Sequence, residues 1–568
     1  MKRHILIAIL SIVALTATAQ HDEQVTVEGK YRPKVNKVNK LRLTPETPQP
    51  SYDFPSSEVN PKEAKQKFAI DLEKIAPTAF AAKDDKLVTP TQNFIMAGVG
   101  TRLSPMFLYK HNSMLTKTLG LGLGIKHNSS WLNMKNYAPS NYMNNAFDVG
   151  LSFEDMGQYR LETGAFFNND MYHYYGVNLT EIPLTETQIE EVCPRQVYNT
   201  IGAFVKLAPK GYPLGVPVGP GAIKYHYTYD RFGCGDGLVE LDYSYVYIPL
   251  GWFKKGESPK RLKVDVDFDI NHYKCNDSLI NRGFGRVNPS FEMSGDFYRI
   301  HLGASVDGYV AKNDRKFAVR PDVSGSLFVL DKKLEFYAGL NGGLSMLTYS
   351  DFIKENPFVW QLQDFRVKNV KLGFEGGVRT NIAEIVDLHL GVRYRHTEND
   401  PFYVLKYEFI DNEVINNKFD LLYDETKLVT ILADVRVKLR NSLTADLGFA
   451  YNNCKPTTEE YAWYRPTTEG KLKLTYDFND KLAFNTTFLY QGGRYAKVWD
   501  GVVDWQNFNF KAEKLKDVFD LSIGADYKVN DQITAFALID NVAHQKYQLY
   551  YNYPVTGIQF FAGVKLRF

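Results

Sequence analysis

The last twelve residues, Gly557 to Phe568, alternate between two kinds of side chain, and the same alternation returns through most of the chain. Ile558, Phe560, Ala562, Val564, Leu566 and Phe568 fall on one face, and Gln559, Phe561, Gly563, Lys565 and Arg567 on the other. Successive side chains of a strand point to opposite faces. An apolar face backed by one carrying Lys565 and Arg567 suits a wall between lipid and a polar lumen.

Other segments repeat the pattern. Leu262, Val264, Val266, Phe268 and Ile270 oppose Lys263, Asp265, Asp267, Asp269 and Asn271. Val429, Ile431, Ala433, Val435, Val437 and Leu439 oppose Thr430, Leu432, Asp434, Arg436 and Lys438. Leu388, Leu390, Val392 and Tyr394 oppose His389, Gly391, Arg393 and Arg395. Sustained period two is the primary strand signal. Many of these segments are longer than ordinary globular strands and match tilted membrane spans. The fold class this predicts is all-β: a closed antiparallel transmembrane barrel over residues 92–568. Mean hydropathy of -0.32 does not oppose it, because only alternate residues of a barrel meet lipid. Aromatics at 14%, with 37 Tyr and 37 Phe, supply the girdles such a wall needs at two interfaces.

The N-terminus gives an address. Lys2 and Arg3 form a basic region, Ile5 to Leu15 an apolar one, and Ala17-Thr18-Ala19 a small-residue cleavage site. Residues 1–19 therefore read as a secretory signal peptide, too short in its apolar part to anchor. Their only charges are Lys2 and Arg3, so removal takes the formal net charge from +2 to 0 and leaves no electrostatic case for a nucleic-acid partner.

Residues 20–91 differ in texture from the rest of the chain. Pro33, Pro45, Pro48, Pro50, Pro55, Pro61, Pro77 and Pro90 forbid a long helix or a central strand. Lys30, Arg32, Lys34, Lys37, Lys40 and Arg42 make a basic run, and Glu63 to Ile75 reads as one short helix. This is a largely extended, Pro-rich periplasmic or lumenal arm, serving as a spacer, filling the lumen or docking a protein partner.

The connections come in two lengths. Asn313-Asp314, Asp331-Lys332, Asn441-Ser442, Asn479-Asp480 and Asn530-Asp531 mark short turns. Longer loops are expected at 171–195, 351–365, 398–425, 453–464 and 497–515. Barrels have short periplasmic turns and longer outer loops. The pattern counts to about 21 strands, weakest at 281–291, while the alternation requires an even number. The missing strand falls around 92–110, giving about 22.

A terminal Phe on such a strand resembles the C-terminal signature of Gram-negative outer-membrane β-barrels, and implies the barrel-assembly machinery as a partner of the strand ending at Phe568. Ala535 to Tyr547, with Tyr553-Pro554 and Gly557, resembles the end of TonB-dependent receptors. Met171-Tyr-His-Tyr-Tyr-Gly176, Arg320-Pro-Asp-Val323, Leu347 to Phe358 and the leader Val25 to Pro50 resemble a plug-less group of TonB-dependent-receptor-like proteins. The resemblance spans most of the mature chain. Residues 20–91 are too few and too proline-interrupted for the globular plug of transporting receptors. It implies an outer-membrane barrel embedded in outer-membrane lipid, as a channel or uptake component, or alternatively a non-transporting scaffold or accessory subunit of an assembly or secretion complex.

No catalytic, cofactor or metal site emerges. GxSxG in a strand–turn–helix setting, HExxH, P-loop and dinucleotide patterns are missing, so the chain does not read as an enzyme. Asp265, Asp267 and Asp269 are oxygen ligands suited to Ca²⁺. They lie about 6.6–6.8 Å apart along one strand, however, too far for a compact cage. Lumen charges paired across the wall are the simpler account, with Arg436, Lys438, Lys565 and Arg567 as partners. Tyr461, Trp463, Tyr464, Trp499 and Trp505 suit stacking on sugars or peptides, but fit an aromatic girdle better. Cys193, Cys234, Cys275 and Cys454 contain no CxxC pair; in an exported chain they are disulfide-bonded or isolated thiols.

Overall fold

The computed structural model describes residues 92–568, apart from 214, 250–259, 363, 411–412, 440–441 and 505–506. The expected signal peptide, the arm 20–91 and Trp505 lie outside the described residues. The described residues form one closed antiparallel sheet of 22 strands, with two small two-stranded sheets and two short helices in the connections. Neighbours in sequence are neighbours in the wall, and the first strand, Asn93–Gly100, pairs with the last, Gln559–Arg567. Phe94 sits opposite Arg567, Gly98 opposite Gly563 and Gly100 opposite Phe561. Lipid offers a free sheet edge no hydrogen-bond partner, so closure is obligatory.

The alternation faces as the sequence predicts. Phe268, Ile270, Leu390, Val392, Ile431, Phe519, Phe560 and Val564 are exposed on the outside. Lys565 and Phe561 turn inward and are buried. A closed barrel with an apolar outer band belongs in the outer membrane of a Gram-negative bacterium. Region 92–110 holds two strands, Asn93–Gly100 and Ser104–Met114, joined by three residues. Arg102 and Leu103 at that turn have φ of 68° and 48°. This tight reversal hides the extra strand in the sequence. The doubtful stretch 281–291 lies within the regular strand Ser278–Ser294.

Short turns at 295–297, 330–333, 383–385 and 529–532 gather at the end where the chain finishes. By the rule for such barrels this is the periplasmic, or inner, end. The longest connections, 174–194, 346–367, 493–517 and 541–558, lie at the outer end. Two expectations are corrected there. The tight turn at Asn313-Asp314 belongs to the outer end, among the long loops. The stretch 398–425 is not a loop: Val386–Ile410 and Glu413–Leu439 are strands of 25 and 27 residues that continue beyond the wall as a hairpin. Its turn-rich residues are absorbed by a bulge, with the register shifting between Thr397 and Asp400, and Asn399 at φ 54°. The bulge lets Pro401 sit in a strand without breaking it.

Candidate functional site at the outer mouth

The main packed core of the molecule lies across the outer mouth. It joins Tyr174, Tyr175, Val192, Tyr273, Tyr349, Phe352, Phe358, Phe402, Phe419, Trp463, Tyr464, Tyr550 and Tyr553, which come from widely separated loops and strand ends.

At its centre is the connection 346–367. Gly343, at φ +145°, starts its inward course, in a conformation that L side chains rarely adopt. A Cβ there would lie 2.6 Å from Asp307 Oδ2 and 2.8 Å from Arg286 Nη2. Those two groups hold the root of the loop: Leu344 N–H donates to Asp307 Oδ2 at 2.6 Å, and Arg286 Nη2 donates to Leu344 O at 2.7 Å. Arg282 Nη1 donates to Leu347 O at 2.8 Å. One helix of seven residues, Tyr349–Glu355, then forms. The Asp351 carboxylate accepts from the Thr348 backbone N–H at 2.9 Å, closing the first turn. Asn356 is extended at φ -134°, ψ 101° before Pro357, which cannot continue a helix.

Six tyrosines from separate parts of the chain donate their hydroxyls to backbone carbonyls of this segment, Tyr423 reaching Asp364 O at 3.1 Å on its exposed edge. Tyr403 reaches Phe352 O at 3.3 Å, Tyr550 Glu355 O at 2.9 Å, Tyr198 Pro357 O at 2.8 Å, Tyr174 Val359 O at 3.2 Å and Tyr273 Leu362 O at 2.9 Å. A buried loop carries carbonyls that water cannot reach, and each must find a donor. Tyrosine supplies one at the end of a large apolar ring, so it fills space and satisfies the backbone together. Tyr349 in turn donates to Asp230 Oδ2 at 3.0 Å.

The projecting hairpin forms the other wall of the closure. Phe419 N–H donates to Phe358 O at 3.0 Å, and Trp360 N–H to Phe419 O at 2.9 Å. Asn417 is buried, and its Nδ2 donates to Tyr174 O at 2.7 Å and Val192 O at 2.9 Å. Its own carbonyl accepts from the Tyr553 hydroxyl. Tyr553 stacks on Phe358 with ring centroids 3.8 Å apart, and its ring fills the space a side chain on Gly176 would need. One asparagine thus joins three loops. Burial pushes the hydroxyls of Tyr349, Tyr550 and Tyr553 well above the ordinary phenol range and the Cys193 thiol up to about 12. It pulls buried Arg494 down to about 10. Cys234 and Cys275 are register partners at the edge of this core and form a disulfide; Cys193 and Cys454 are free.

The aromatic residues expected in a girdle are corrected here. Trp463 and Tyr464 are buried in the loop core, Tyr461 stacks on Tyr495 at 4.0 Å, and the Trp499 backbone N–H donates to Tyr407 Oη. They stabilise loop against loop, because the residues after Pro456 have already left the wall.

Below the mouth the lumen is charged. Lys224 pairs with Glu240 at 2.7 Å, Lys263 with Asp265 at 2.9 Å and Arg286 with Asp307 at 2.8 Å. His389 pairs with Asp434 at 3.1 Å and Lys565 with Asp526 at 2.6 Å. Arg393 lies 3.6 Å from Glu375. The expected pairing of Arg436 and Lys565 with the carboxylates of 265–269 does not occur. Arg436 binds Asp446, and Asp267 lies 4.0 Å from Arg286. Neighbouring strands are about 4.8 Å apart, whereas a 22-strand wall puts its far side tens of ångströms away. Among the described residues no three carboxylate, imidazole or thiol groups converge for a metal, so Asp265, Asp267 and Asp269 form no calcium cage. The sequence missed Tyr174, Tyr175, Asn417, Tyr550 and Tyr553 as a group. The available signal was the density of tyrosine in 172–175 and 547–553.

No family model matches this chain, and neither does any curated protein. Solved structures do. The siderophore receptor PirA from Acinetobacter baumannii superposes with a TM-score of 0.64 at 12% identity, covering 85% of this chain and 81% of that one. The FrpB iron transporter from Neisseria meningitidis gives 0.63 at 10% identity, covering 85% and 82%. The ferric-catecholate import receptor Fiu from E. coli K12 gives 0.62 at 9%, covering 84% and 82%. At these identities the likeness establishes a shared barrel fold.

Proposed function

We propose that the chain is a gated uptake component of the outer membrane, with the charged lumen as conduit and the connection 346–367 as its outer gate. The observation that carries this reading is the way the gate is held. Its backbone is bound by tyrosine hydroxyls donated from six separate places. Each such bond contributes only about 1 kcal/mol net. Contacts of this kind release together when one element withdraws, whereas the wall stays paired throughout. The structural neighbours support it, being import and siderophore receptors; we carry over uptake, and leave the substrate open. Residues 20–91 act as an arm in place of a plug, and the last strand carries the signal for the barrel-assembly machinery. The chemistry is transport, with no catalytic step.

A second reading, a sealed scaffold in an outer-membrane complex, is favoured by the depth of burial in the same core. Planar-bilayer recording separates the two. The uptake reading expects a quiet full-length barrel with discrete openings under voltage or mild urea. Replacing 349–358 with a Gly-Ser linker should then give a steady large conductance. A barrel that stays silent until it unfolds, and that co-purifies with a stable partner, would establish the scaffold.

A further inference from the structure

One patch of the lumen departs from the charged pattern. Phe94, Met96, Met106, Leu108, Phe536, Leu538 and Phe561 form an apolar cluster on the strands flanking the seam. They face inward: Met96 is the register partner of Lys565 and of Leu108, and Phe536 is that of Gly563. Parts of the lumen face are wet, as at Asp267, whose side chain is 33% exposed, and buried parts such as Asp307 and Ser522 are polar. Here Met96 is 0% exposed, Met106 2% and Phe561 2%. Part of this is local, since the rings of Phe536 and Phe561 lie over Gly98 and Gly100, where no Cβ intervenes. Yet among the described residues the apolar side chains packed in the cluster all come from the same four strands, and one layer of wall cannot by itself shield its lumen side from water.

The chain itself supplies a matching element. The patch begins at Phe94, where the arm joins the wall at the inner end. The helix expected over Glu63 to Ile75 places Ala64, Phe68, Leu72 and Ile75 at i, i+4, i+8 and i+11, on one face. Asp71 flanks that face, and the patch is bordered by Lys110 and Arg567. The 17 residues from Ala76 to Gln92 reach up to about 3.3 Å each, which is ample. The outer mouth is closed, so an occupant of this patch must enter from the inner end, where the arm is tethered.

We propose that the arm docks inside the barrel, with the stripe Phe68–Leu72–Ile75 packed on the lumenal patch formed by Met96, Met106, Leu108, Phe536 and Phe561. This inference rests on the arm reading of 20–91 but not on uptake. The test uses the full-length mature protein in detergent micelles, with heat-modifiable gel mobility as the control for an intact barrel. Docking predicts that trypsin cleaves after Lys65, Lys67 and Lys74 at least about tenfold more slowly than in the Phe68→Asp/Leu72→Asp variant, because cleavage waits for local opening. Leu72→Cys with Met106→Cys should form a disulfide, and Leu72→Cys with the distant Ser305→Cys should not. Equal protection in wild type and variant, without the 72–106 disulfide, would overturn the patch as the docking place while leaving a lumenal arm. Rapid cleavage across both 30–42 and 65–74 in wild type would overturn the arm reading as well.

Discussion

The wall and the outer mouth are built from the same residue types by opposite rules. In the wall each strand pairs with the next strand of the wall, and the lipid-facing side chains touch at most near neighbours such as Phe147 on Phe167. In the mouth the partners are remote: Tyr174 to Val359, Tyr175 to Pro554 and Tyr198 to Pro357 are separated by 185, 379 and 159 residues. The wall is stable because all its backbone groups are paired in a place without water. The mouth is stable because rings and hydroxyls fit, and it borders water on its outer side. A perturbation should therefore move one without the other.

The largest effect is expected from a charge on the lipid face. Phe268 sits midway along Arg261–Cys275 and points outward. Phe268→Arg should cost about 2–4 kcal/mol in refolding titrations into vesicles. Asp267→Asn, one residue away on the lumen face, should change the same titration by less than about 1 kcal/mol. Equal costs would mean that the two faces are inverted.

The next effect belongs to the mouth alone. Asn417→Leu leaves Tyr174 O and Val192 O without their shared donor, a loss of about 1–3 kcal/mol in the loop core. Hydrogen exchange should accelerate in 174–194 and 348–362 and stay unchanged in the wall strands. Uniform acceleration would show that mouth and wall open as one unit.

Alkali should make the same distinction. Tyr349, Tyr550 and Tyr553 have hydroxyls raised above the unfolded value of about 10. Their contribution is full below that pH and is lost as pH rises toward the folded values, because the unfolded loops release protons first. Over the gradual ionisation of the exposed tyrosines, a further cooperative step in tyrosinate absorbance should appear above about pH 10, accompanied by conductance, while the heat-modifiable gel shift of the wall persists. A titration with no cooperative step would mean that the hydroxyls are not buried. The smallest effect is that of Tyr553→Phe, which keeps the ring stack and removes one hydroxyl; a loosening of about 1 kcal/mol should be visible by exchange and absent from barrel refolding.

The same contrast decides what can be read in advance. The strand 261–275 is legible because its information is local: each residue's face follows from its neighbour's. So are the strand number and the closed wall, since lipid allows few alternatives. Residues 398–425 look like a loop because Asn399, Pro401, Asn416 and Asn417 carry turn propensity, and only the bulge and the loops packed against the hairpin keep them in strands. Trp463 and Tyr464 suggest a girdle because aromatic character alone does not say whether a ring meets lipid or another loop. The motif Leu347 to Phe358 is visible as a pattern, but its place in the mouth depends on tyrosines as far as 195 residues away, a relation without periodicity.

The seam between Asn93–Gly100 and Gln559–Arg567 also fixes an order of events. Asn93 N–H donates to Phe568 O at 2.8 Å, and Phe568 N–H returns the bond to Asn93 O at 3.1 Å. The seam therefore joins the first and last strands of the wall, and a chain lacking either cannot form it. Until the final nine-residue strand arrives, the sheet carries two unsatisfied edges that lipid will not accept. Sealing of the barrel therefore waits for both seam strands, and a chain lacking 559–567 cannot form this seam.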